Sequence, residues 1–295
     1  GKEAARRVGK TIQFTLTTNG MLLDDEVAAF LREEQVSLVL SLDGRPEVND
    51  RMRPLAGGQG SYHRIVPRYR RLVAQLKPTD YYIRGTYTRY NLDFAEDVRH
   101  LHDLGFTSLS LEPVVASPED DYAFRDEDVP RICAEYDRLV DLYLERAGEG
   151  RPFDFFHFNV DLEQGPCLPK RLTGCGAGFE YLAVTPEGDL YPCHQFVGRE
   201  GFKLGDVWHG IVREEISDRF REAHIYSKEA CRACWARFLC SGGCHANAQA
   251  HTGSLLEPYA LGCRLQKKRL ECAIFLQCWK RIKENGEVLF VPEAS

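Results

Sequence analysis

Segments with apolar residues at helical spacing alternate with short β-branched and apolar runs along the first half of the chain. Asp24 and Asn91 are predicted to cap helices in which apolar residues recur at helical spacing, and Gly105 is predicted to end the second helix. A further helix is predicted over 61–76, where Pro67 must kink it or lie in its first turn. Runs of β-branched and apolar residues between these helices predict strands at 11–17, 36–42, 81–88 and 107–111. Such β–α repeats predict a parallel sheet wrapped by helices.

The pattern changes near residue 150. A helix predicted over 128–146 carries a continuous apolar stripe, and glycine and proline residues follow it. Beyond them the sequence is rich in Cys, Gly and His and lacks long periodic runs until a last helix at about 264–284. A chain of 295 residues also favours two domains. We therefore predict domains at 1–150 and 151–295.

Composition narrows the class of protein. The net charge of −6 argues against nucleic-acid binding, and no stretch has the roughly 18 consecutive apolar residues of a membrane span. The first residues lack the apolar core of a signal peptide. Eleven cysteines without an export signal indicate metal binding in a reducing compartment more than disulfides. We expect a cytoplasmic metalloprotein with no nucleic-acid or membrane partner.

Seven cysteines carry the candidate chemistry of the second half. The two-residue gap between Cys231 and Cys234 lets both thiolates converge on one ion or cluster corner. Cys193 ends a segment that begins at Gly188 and predicts a tight turn leading into a strand. Cys263 is expected at the start of the last helix, where the helix dipole favours a thiolate. The seven are Cys175, Cys193, Cys231, Cys234, Cys240, Cys244 and Cys263.

The number of thiols decides how many groups they can hold. Seven thiolates exceed the four that one zinc ion or one cluster accepts, whereas two cubane clusters need eight. One iron site is therefore left open, unless Cys167 supplies the eighth ligand. The spacing alone also permits zinc, bound by four thiolates or by fewer together with His194 or His245.

The order and spacing of these cysteines resemble the SPASM motif of radical S-adenosylmethionine (SAM) enzymes. The matching pattern is Cys-x12-Gly-x4-Cys from Cys175, then Cys-x2-Cys-x5-Cys-x3-Cys from Cys231, then Cys263. The resemblance implies two auxiliary 4Fe–4S clusters. By motif order the second cluster would take four ligands, and the first would take three. The four are Cys231, Cys234, Cys240 and Cys263; the three are Cys175, Cys193 and Cys244.

The first half resembles part of a radical SAM barrel. Residues 17–20, Thr-Thr-Asn-Gly, are similar to the turn after the third strand, and residues 41–44, Ser-Leu-Asp-Gly, to the end of the fourth. The resemblance implies that Ser41 and Arg53 grip the SAM carboxylate, with weaker ribose roles for Thr18 and Asn19. The implied fold class is α/β. It is a partial (β/α)6 barrel lacking its first strands, followed by a Cys-rich SPASM domain and a C-terminal helix.

The run from Ser41 to Arg53, the segment 57–62 and the Cys167-x7-Cys175 spacing are similar to one subgroup. It comprises the maturases of six-cysteines-in-forty-five (SCIFF) peptides, which install thioether crosslinks. The resemblance implies that a deoxyadenosyl radical takes hydrogen from a ribosomal precursor peptide and that a peptide cysteine then bonds to that carbon. SAM, a reducing electron donor and, in the full-length protein, a third 4Fe–4S cluster are implied.

One departure limits what this chain can do. The sequence contains no Cys-x3-Cys-x2-Cys, the motif that holds the SAM-cleaving cluster in the family. The expectation is an N-terminal truncation, and the 295-residue chain itself is not expected to cleave SAM.

Several alternatives remain open at this point. The same enzyme class includes sulfatase maturation and other peptide oxidations, and a non-catalytic cluster or zinc module would be a different class. Cys133, Cys272 and Cys278 lie in helical patterns and are predicted to be packing residues. Glu112 is given no role.

Overall fold

The computed structural model describes residues 1–162 and 172–285, and Cys167 lies outside them. The chain forms two compact units. The sheet unit comprises Gly1–Val114 and Ala134–Asn159, and the cysteine unit comprises Val115–Cys133 and Val160–Ser295. The chain thus divides at other positions than the predicted boundary near residue 150.

A parallel five-stranded sheet organises the sheet unit, in the strand order β1-β2-β3-β4-β5. All four predicted strands are present, and β5 is an addition that the sequence did not indicate. Most residues of β1 are exposed, and this strand lies at one edge. The strands are β1 Thr15–Thr18, β2 Ser37–Ser41, β3 Tyr81–Tyr87, β4 Ser108–Pro113 and β5 Asp154–Phe155.

The helices of this unit largely follow the predicted pattern. The carboxylate of Asp24 accepts a hydrogen bond from the Val27 backbone N–H at 2.9 Å, so the predicted cap is confirmed. Pro67 lies inside its helix rather than in the first turn. The helices are α1 Lys2–Arg7, α2 Asp25–Glu33, α3 Pro46–Met52, α4 Tyr62–Val73, α5 Phe94–Asp103 and α6 Val129–Gly148, the last passing from the cysteine unit into this one.

The predicted cap at Asn91 is wrong. α5 begins after Asp93, and Asn91 ends a preceding 3₁₀ turn. The Asn91 carboxamide oxygen accepts from the Thr88 N–H at 2.8 Å, while its amide donates to Asp97 at 3.1 Å. Both polar ends of Asn91 are therefore used to fix the turn against the buried Asp97.

The core of the sheet unit forms where the helices cover one face of the strands. Along β3, fully buried residues alternate with half-buried ones, as expected for a strand with two different faces. Tyr87 on the buried face stacks on Phe94 of α5 at 4.2 Å between ring centroids and bonds to the Tyr136 hydroxyl of α6. The other face carries the half-buried Tyr82, Arg84 and Thr86.

Short strands, several short helices and one long helix make up the described part of the cysteine unit. An antiparallel four-stranded sheet, in the order β6-β7-β8-β9, lies beside an apolar cluster that includes Phe196, Leu204, Phe220 and Cys193. The strands are β6 Ala183–Val184, β7 Asp189–Tyr191, β8 Gly205–Asp206 and β9 Gly210–Ile211. The helices are α7 Glu214–Glu222, α8 Glu229–Arg232, α9 Arg237–Cys240, α10 His245–Thr252 and α11 Ala260–Asn285. Among helices in the described ranges, none combines the length and apolar character needed to cross a membrane.

Candidate cluster sites and cofactor site

Cys175, Cys193 and Cys244 lie close enough in the cysteine unit for their charges to interact; we call them the first thiol set. The predicted turn is present, since the Gly188 N–H donates to the Thr185 carbonyl at 2.9 Å, and Cys193 follows β7. Burial raises the pKa of Cys193, whose sulfur accepts from backbone N–H groups of the next turn. Cys244 similarly accepts from two N–H groups at the start of α10.

The second thiol set consists of Cys231, Cys234, Cys240 and Cys263. Each interacts electrostatically with others of the set: Cys231 with Cys234 and Cys240, and Cys263 with all three. Burial raises the pKa of Cys231 and of Cys240, and the sulfur of Cys240 also accepts from the N–H groups of the following glycines. The electrostatic contacts group the seven thiols as three and four, and that each group binds one cluster stays a prediction.

The position of Cys263 differs from the prediction. α11 begins at Ala260, so Cys263 is within the helix rather than at its first residue. Burial, followed by the neighbouring thiolates, raises its pKa to about 11. The helix dipole was expected to act in the opposite direction, but desolvation is the larger effect here.

The donor set fits iron–sulfur clusters. Such clusters are held by cysteine thiolates, and hydrogen bonds from backbone amides to sulfur help set their potentials. The backbone amides beside Cys193, Cys240 and Cys244 already point at sulfur. Within residues 1–162 and 172–285, no group of three or more His, Cys, Asp or Glu residues has the geometry of a site for a single metal ion.

Each histidine beside a ligand cysteine already makes a hydrogen bond through a ring nitrogen. His194 is exposed and its Nδ1 lies 3.2 Å from the Tyr181 hydroxyl. His245 is buried, and its Nε2 lies 3.1 Å from the Ala223 carbonyl. Burial lowers the pKa of His245 to about 4, so its ring is neutral and Nε2–H donates to that carbonyl.

The predicted SAM residues lie at one end of the parallel sheet. Pairing between β2 and β3 places Ser41 beside Arg84, and pairing between β3 and β4 places Arg84 beside Ser110. Residues paired across parallel strands point to the same side of the sheet. Ser41, Arg84 and Ser110 therefore form one polar row on the face that carries the half-buried residues of β3.

Arg53 has a partner that the sequence did not indicate. Its Nε and Nη2 donate to the two carboxylate oxygens of Asp43 at 2.8 and 2.9 Å. Asp43 is 1% exposed and also accepts from the Thr86 N–H at 2.9 Å. Two of the three guanidinium nitrogens thus hold a buried carboxylate, and the predicted carboxylate grip by Ser41 and Arg53 stays a prediction.

The side chains of Thr18 and Asn19 accept hydrogen bonds from the backbone of their own turn. Thr18 Oγ1 accepts from the Gly20 N–H and Asn19 Oδ1 from the Met21 N–H, each at 3.1 Å. The hydroxyl of the buried Tyr69 donates to the backbone carbonyls of Thr18 and Ser41, at 3.0 and 3.2 Å. Tyr69 thereby joins the ends of β1 and β2, where the predicted SAM residues lie.

Sequence reasoning missed a charged group on the same face. Arg84 donates to Glu112 at 2.5 Å, and the other Glu112 oxygen lies 3.7 Å from His157 Nε2. His157 Nε2 in turn lies 3.0 Å from the Ser110 hydroxyl. The two-residue period of β3 and β4 could have placed Arg84 and Glu112 on one face, but β5 and the His157 turn after it gave no sequence signal.

Comparison with known proteins identifies an iron–sulfur domain in the cysteine unit. Residues 175–235 match the SPASM family, described as an iron–sulfur cluster-binding domain. The chain is 30% identical over 251 residues to the mycofactocin maturase MftC of Mycolicibacterium smegmatis, covering 82% of this chain and 60% of that protein. It is 22% identical to a cysteine-type anaerobic sulfatase-maturating enzyme of Clostridium novyi, covering 80% of this chain and 64% of the relative.

A solved structure described as native anSMEcpe with bound AdoMet and Cp18Cys peptide has a TM-score of 0.74 and 20% sequence identity, covering 97% of this chain and 80% of that one. The fold is therefore that of the radical SAM/SPASM enzymes, an α/β parallel sheet with a Cys-rich SPASM region and a C-terminal helix. The relatives support placing the chain in the radical SAM superfamily. The chain spans about three fifths of the length of the curated relatives it matches.

Proposed function

We propose that this chain is the cluster-binding and peptide-handling part of a radical SAM maturase that forms thioether crosslinks in a SCIFF-type precursor peptide. The observation that carries the proposal is the unequal division of the seven thiols. Four thiols form the second set, which is enough for one 4Fe–4S cluster, and three form the first. A cluster on the first set has one iron without a thiolate from the described residues, and a peptide cysteine can occupy that place.

The chemistry requires both a sulfur nucleophile and an electron acceptor. Forming each bridge removes one hydrogen atom from the acceptor carbon and one proton from the peptide thiol, and one electron remains to be accepted. When bound, an iron–sulfur cluster lowers the pKa of a thiol on iron and accepts an electron. The chain would surround that site with three thiolates, with backbone amides directed at sulfur, and with the buried apolar cluster to which Cys193 belongs.

The SAM part of the proposal assigns Ser41 and Arg53 to the carboxylate, and Thr18 and Asn19 to the ribose. Arg84 is an additional candidate for the carboxylate, because it lies beside Ser41 and is 39% exposed in its side chain. A guanidinium beside a hydroxyl suits a carboxylate. Since the sequence has no Cys-x3-Cys-x2-Cys, we propose that the 295-residue chain alone does not cleave SAM, and that cleavage also needs that motif and a reducing electron donor.

The first test is metal analysis of the chain after anaerobic reconstitution. Two cubane clusters predict about eight iron and about eight labile sulfide per chain. Zinc without sulfide would overturn the cluster assignment and favour the zinc module.

The second test addresses the substrate. A SCIFF-type peptide should change the electronic spectrum and paramagnetic resonance of the first cluster, whereas the same peptide with serine in place of cysteine should not. For turnover, the chain is joined to a segment carrying Cys-x3-Cys-x2-Cys and supplied with SAM and reductant. The peptide mass should fall by two hydrogens for each bridge, and an unchanged mass would contradict thioether formation.

Sulfatase-type maturation is the second candidate, since a sulfatase-maturating enzyme is among the relatives and an anSMEcpe structure among the fold neighbours. The two differ at the first thiol set. Should Cys167, which lies outside the described residues, supply a fourth thiolate, direct binding of a peptide cysteine is disfavoured. A Cys167→Ser variant that loses the first cluster would favour the sulfatase-type reaction, and one that keeps it would favour the thioether reaction.

A further inference from the structure

We propose that Lys228 is a positioning residue whose buried ammonium acts on both thiol sets at once and raises the reduction potentials of the clusters they hold. The inference rests on the cluster binding proposed above. It concerns a residue outside the seven-cysteine motif and outside the predicted SAM contacts.

The position of Lys228 in the cysteine unit is the first step. Its side chain has 0% exposure, although lysine is seldom fully buried unless paired. The ammonium donates to the Gly242 carbonyl at 2.8 Å. Gly242 lies in the three-residue segment between Cys240 of the second set and Cys244 of the first, so this bond fixes the link between the two sets.

The shape of that link leaves space for the lysine. Ser241 and Gly242 both have positive φ, at 57° and 89°, which turns the chain sharply between the two cysteines. A Cβ on Gly242 would lie 3.3 Å from Lys228 Nζ and 3.6 Å from an Ile225 methyl. The absence of a side chain at position 242 therefore allows the ammonium to approach the backbone of the turn.

The charges around the ammonium are the second step. Lys228 interacts electrostatically with three thiols of the second set, Cys231, Cys240 and Cys263, and with Cys244 of the first. A buried ammonium is costly unless negative charge compensates it. With clusters bound, the ligating thiolates of both sets would supply that negative charge.

The consequence concerns redox potential. A cluster held by four thiolates carries net negative charge, and its reduction adds one more negative charge. A fixed positive charge nearby stabilises the reduced form more than the oxidised form, most strongly where solvent is excluded. Because one ammonium faces thiolates of both sets, replacing it should shift both potentials in the same direction.

The test uses the reconstituted 295-residue chain with two variants at one position. Lys228→Gln removes the charge and keeps a hydrogen-bond donor, while Lys228→Arg keeps the charge. Iron and sulfide content is measured first, and then each midpoint potential by redox titration followed by paramagnetic resonance. Lys203→Gln is the matched control, since Lys203 lies in the same unit with a 43% exposed side chain bound to Asp189.

We expect Lys228→Gln to lower both midpoint potentials, and Lys228→Arg and Lys203→Gln to stay near the wild-type values. The Gln variant could instead fail to assemble clusters while the Arg variant assembles them. That result would also support the need for a positive charge at position 228. Gln and Arg variants that behave alike, in potential or in loss of clusters, overturn the inference, as does a shift confined to one cluster. A wild-type chain that binds no iron and sulfide after reconstitution would contradict the proposed function itself.

Discussion

The two units reach a defined structure by different means. In the sheet unit, five strands and long amphipathic helices bury aromatic and aliphatic side chains such as Tyr87 and Phe94, and polar groups lie mainly on the other face. In the cysteine unit, strands of two or three residues precede several short helices and the long helix α11, and seven thiols lie in two sets. The sheet unit is organised around its apolar core, whereas the cysteine unit combines an apolar cluster with the two thiol sets.

The difference shows in where buried charge is compensated. In the sheet unit, the fully buried Asp97 accepts from Arg45 Nε at 2.8 Å and from the Arg45 backbone N–H at 3.0 Å. In the cysteine unit, the fully buried Lys228 interacts electrostatically with cysteines of both thiol sets. The sheet unit therefore contains its own counter-charges, while the electrostatics of the cysteine unit depend on sulfur and on whatever sulfur binds.

Removing the clusters should have the largest effect, and it should destabilise the cysteine unit far more than the sheet unit. Metal binding by thiolates contributes directly to folding, so chelation should unfold much of the cysteine unit and leave the sheet unit folded. Hydrogen exchange read segment by segment measures this, with protection falling at least about tenfold in the described residues after 172 and changing little in β2 to β4. Equal loss in both units would contradict the division described above.

Single thiols should show a smaller and more specific effect. Cys240→Ser removes one ligand of the second set and should lower iron from about eight to about four per chain. Cys278→Ser is the matched control, because Cys278 lies in α11 outside both thiol sets and is half-buried. Iron and sulfide analysis of both variants decides the matter. Full iron in Cys240→Ser, or loss in Cys278→Ser, would contradict the assignment of ligands.

Within the sheet unit, the two arginines on the predicted SAM side should differ in their contribution to stability. Arg53→Met leaves the buried Asp43 without its partner and should cost about 3 kcal/mol. Arg84→Met breaks an ion pair whose side chains are 39% and 33% exposed, and should cost about 1 kcal/mol or less. Urea unfolding followed by circular dichroism gives both values. Equal costs would mean that the Asp43 pair is no more important for folding than the Arg84 pair.

The sequence predicts the regular elements of the sheet unit better than the irregular ones. β2, β3 and β4 were predictable because each buries apolar residues, β1 because of its run of β-branched residues, and Asp24 because a cap acts locally. β5 was not, since two residues after Pro152 show no period. The cap was wrongly assigned to Asn91 because Asp93, another residue type common at caps, lies two positions on; the amide of Asn91 instead bonds to Asp97.

In the candidate sites, the sequence predicts the cysteines but not the contacts that depend on the fold. Cysteine spacing indicated a metal-binding region, and the resemblance to the SPASM motif implied its division into two sets. The Arg53–Asp43 pair joins residues only ten positions apart, but the turn that aligns them is set by contacts with β3. Lys228 carries no motif at all. Its importance appears only when the fold brings the Gly242 carbonyl to its ammonium.

The smallest expected effect is the pH dependence of stability within the sheet unit. Burial lowers the pKa of both His100 and His102, and Nδ1 of His102 is buried without a hydrogen-bond partner among the described residues. The unfolded chain, with its ordinary histidine pKa of about 6.5, therefore binds more protons than the folded chain below that pH. The free energy of unfolding should fall as the pH drops from about 7 to about 5.5.

His102→Gln should make this decline shallower, because one group that the fold keeps neutral is gone. The exposed His63 provides the matched control as His63→Gln. Each pKa unit of difference is worth at most about 1.4 kcal/mol, and solvent screening reduces it. Asp97, whose pKa burial raises, acts with the opposite sign, but it does so equally in all three proteins and cancels in the comparison. Hydrogen exchange of β3 and β4 at several pH values measures the slope in this unit alone, and an unchanged slope in His102→Gln would mean that protonation of His102 does not oppose folding.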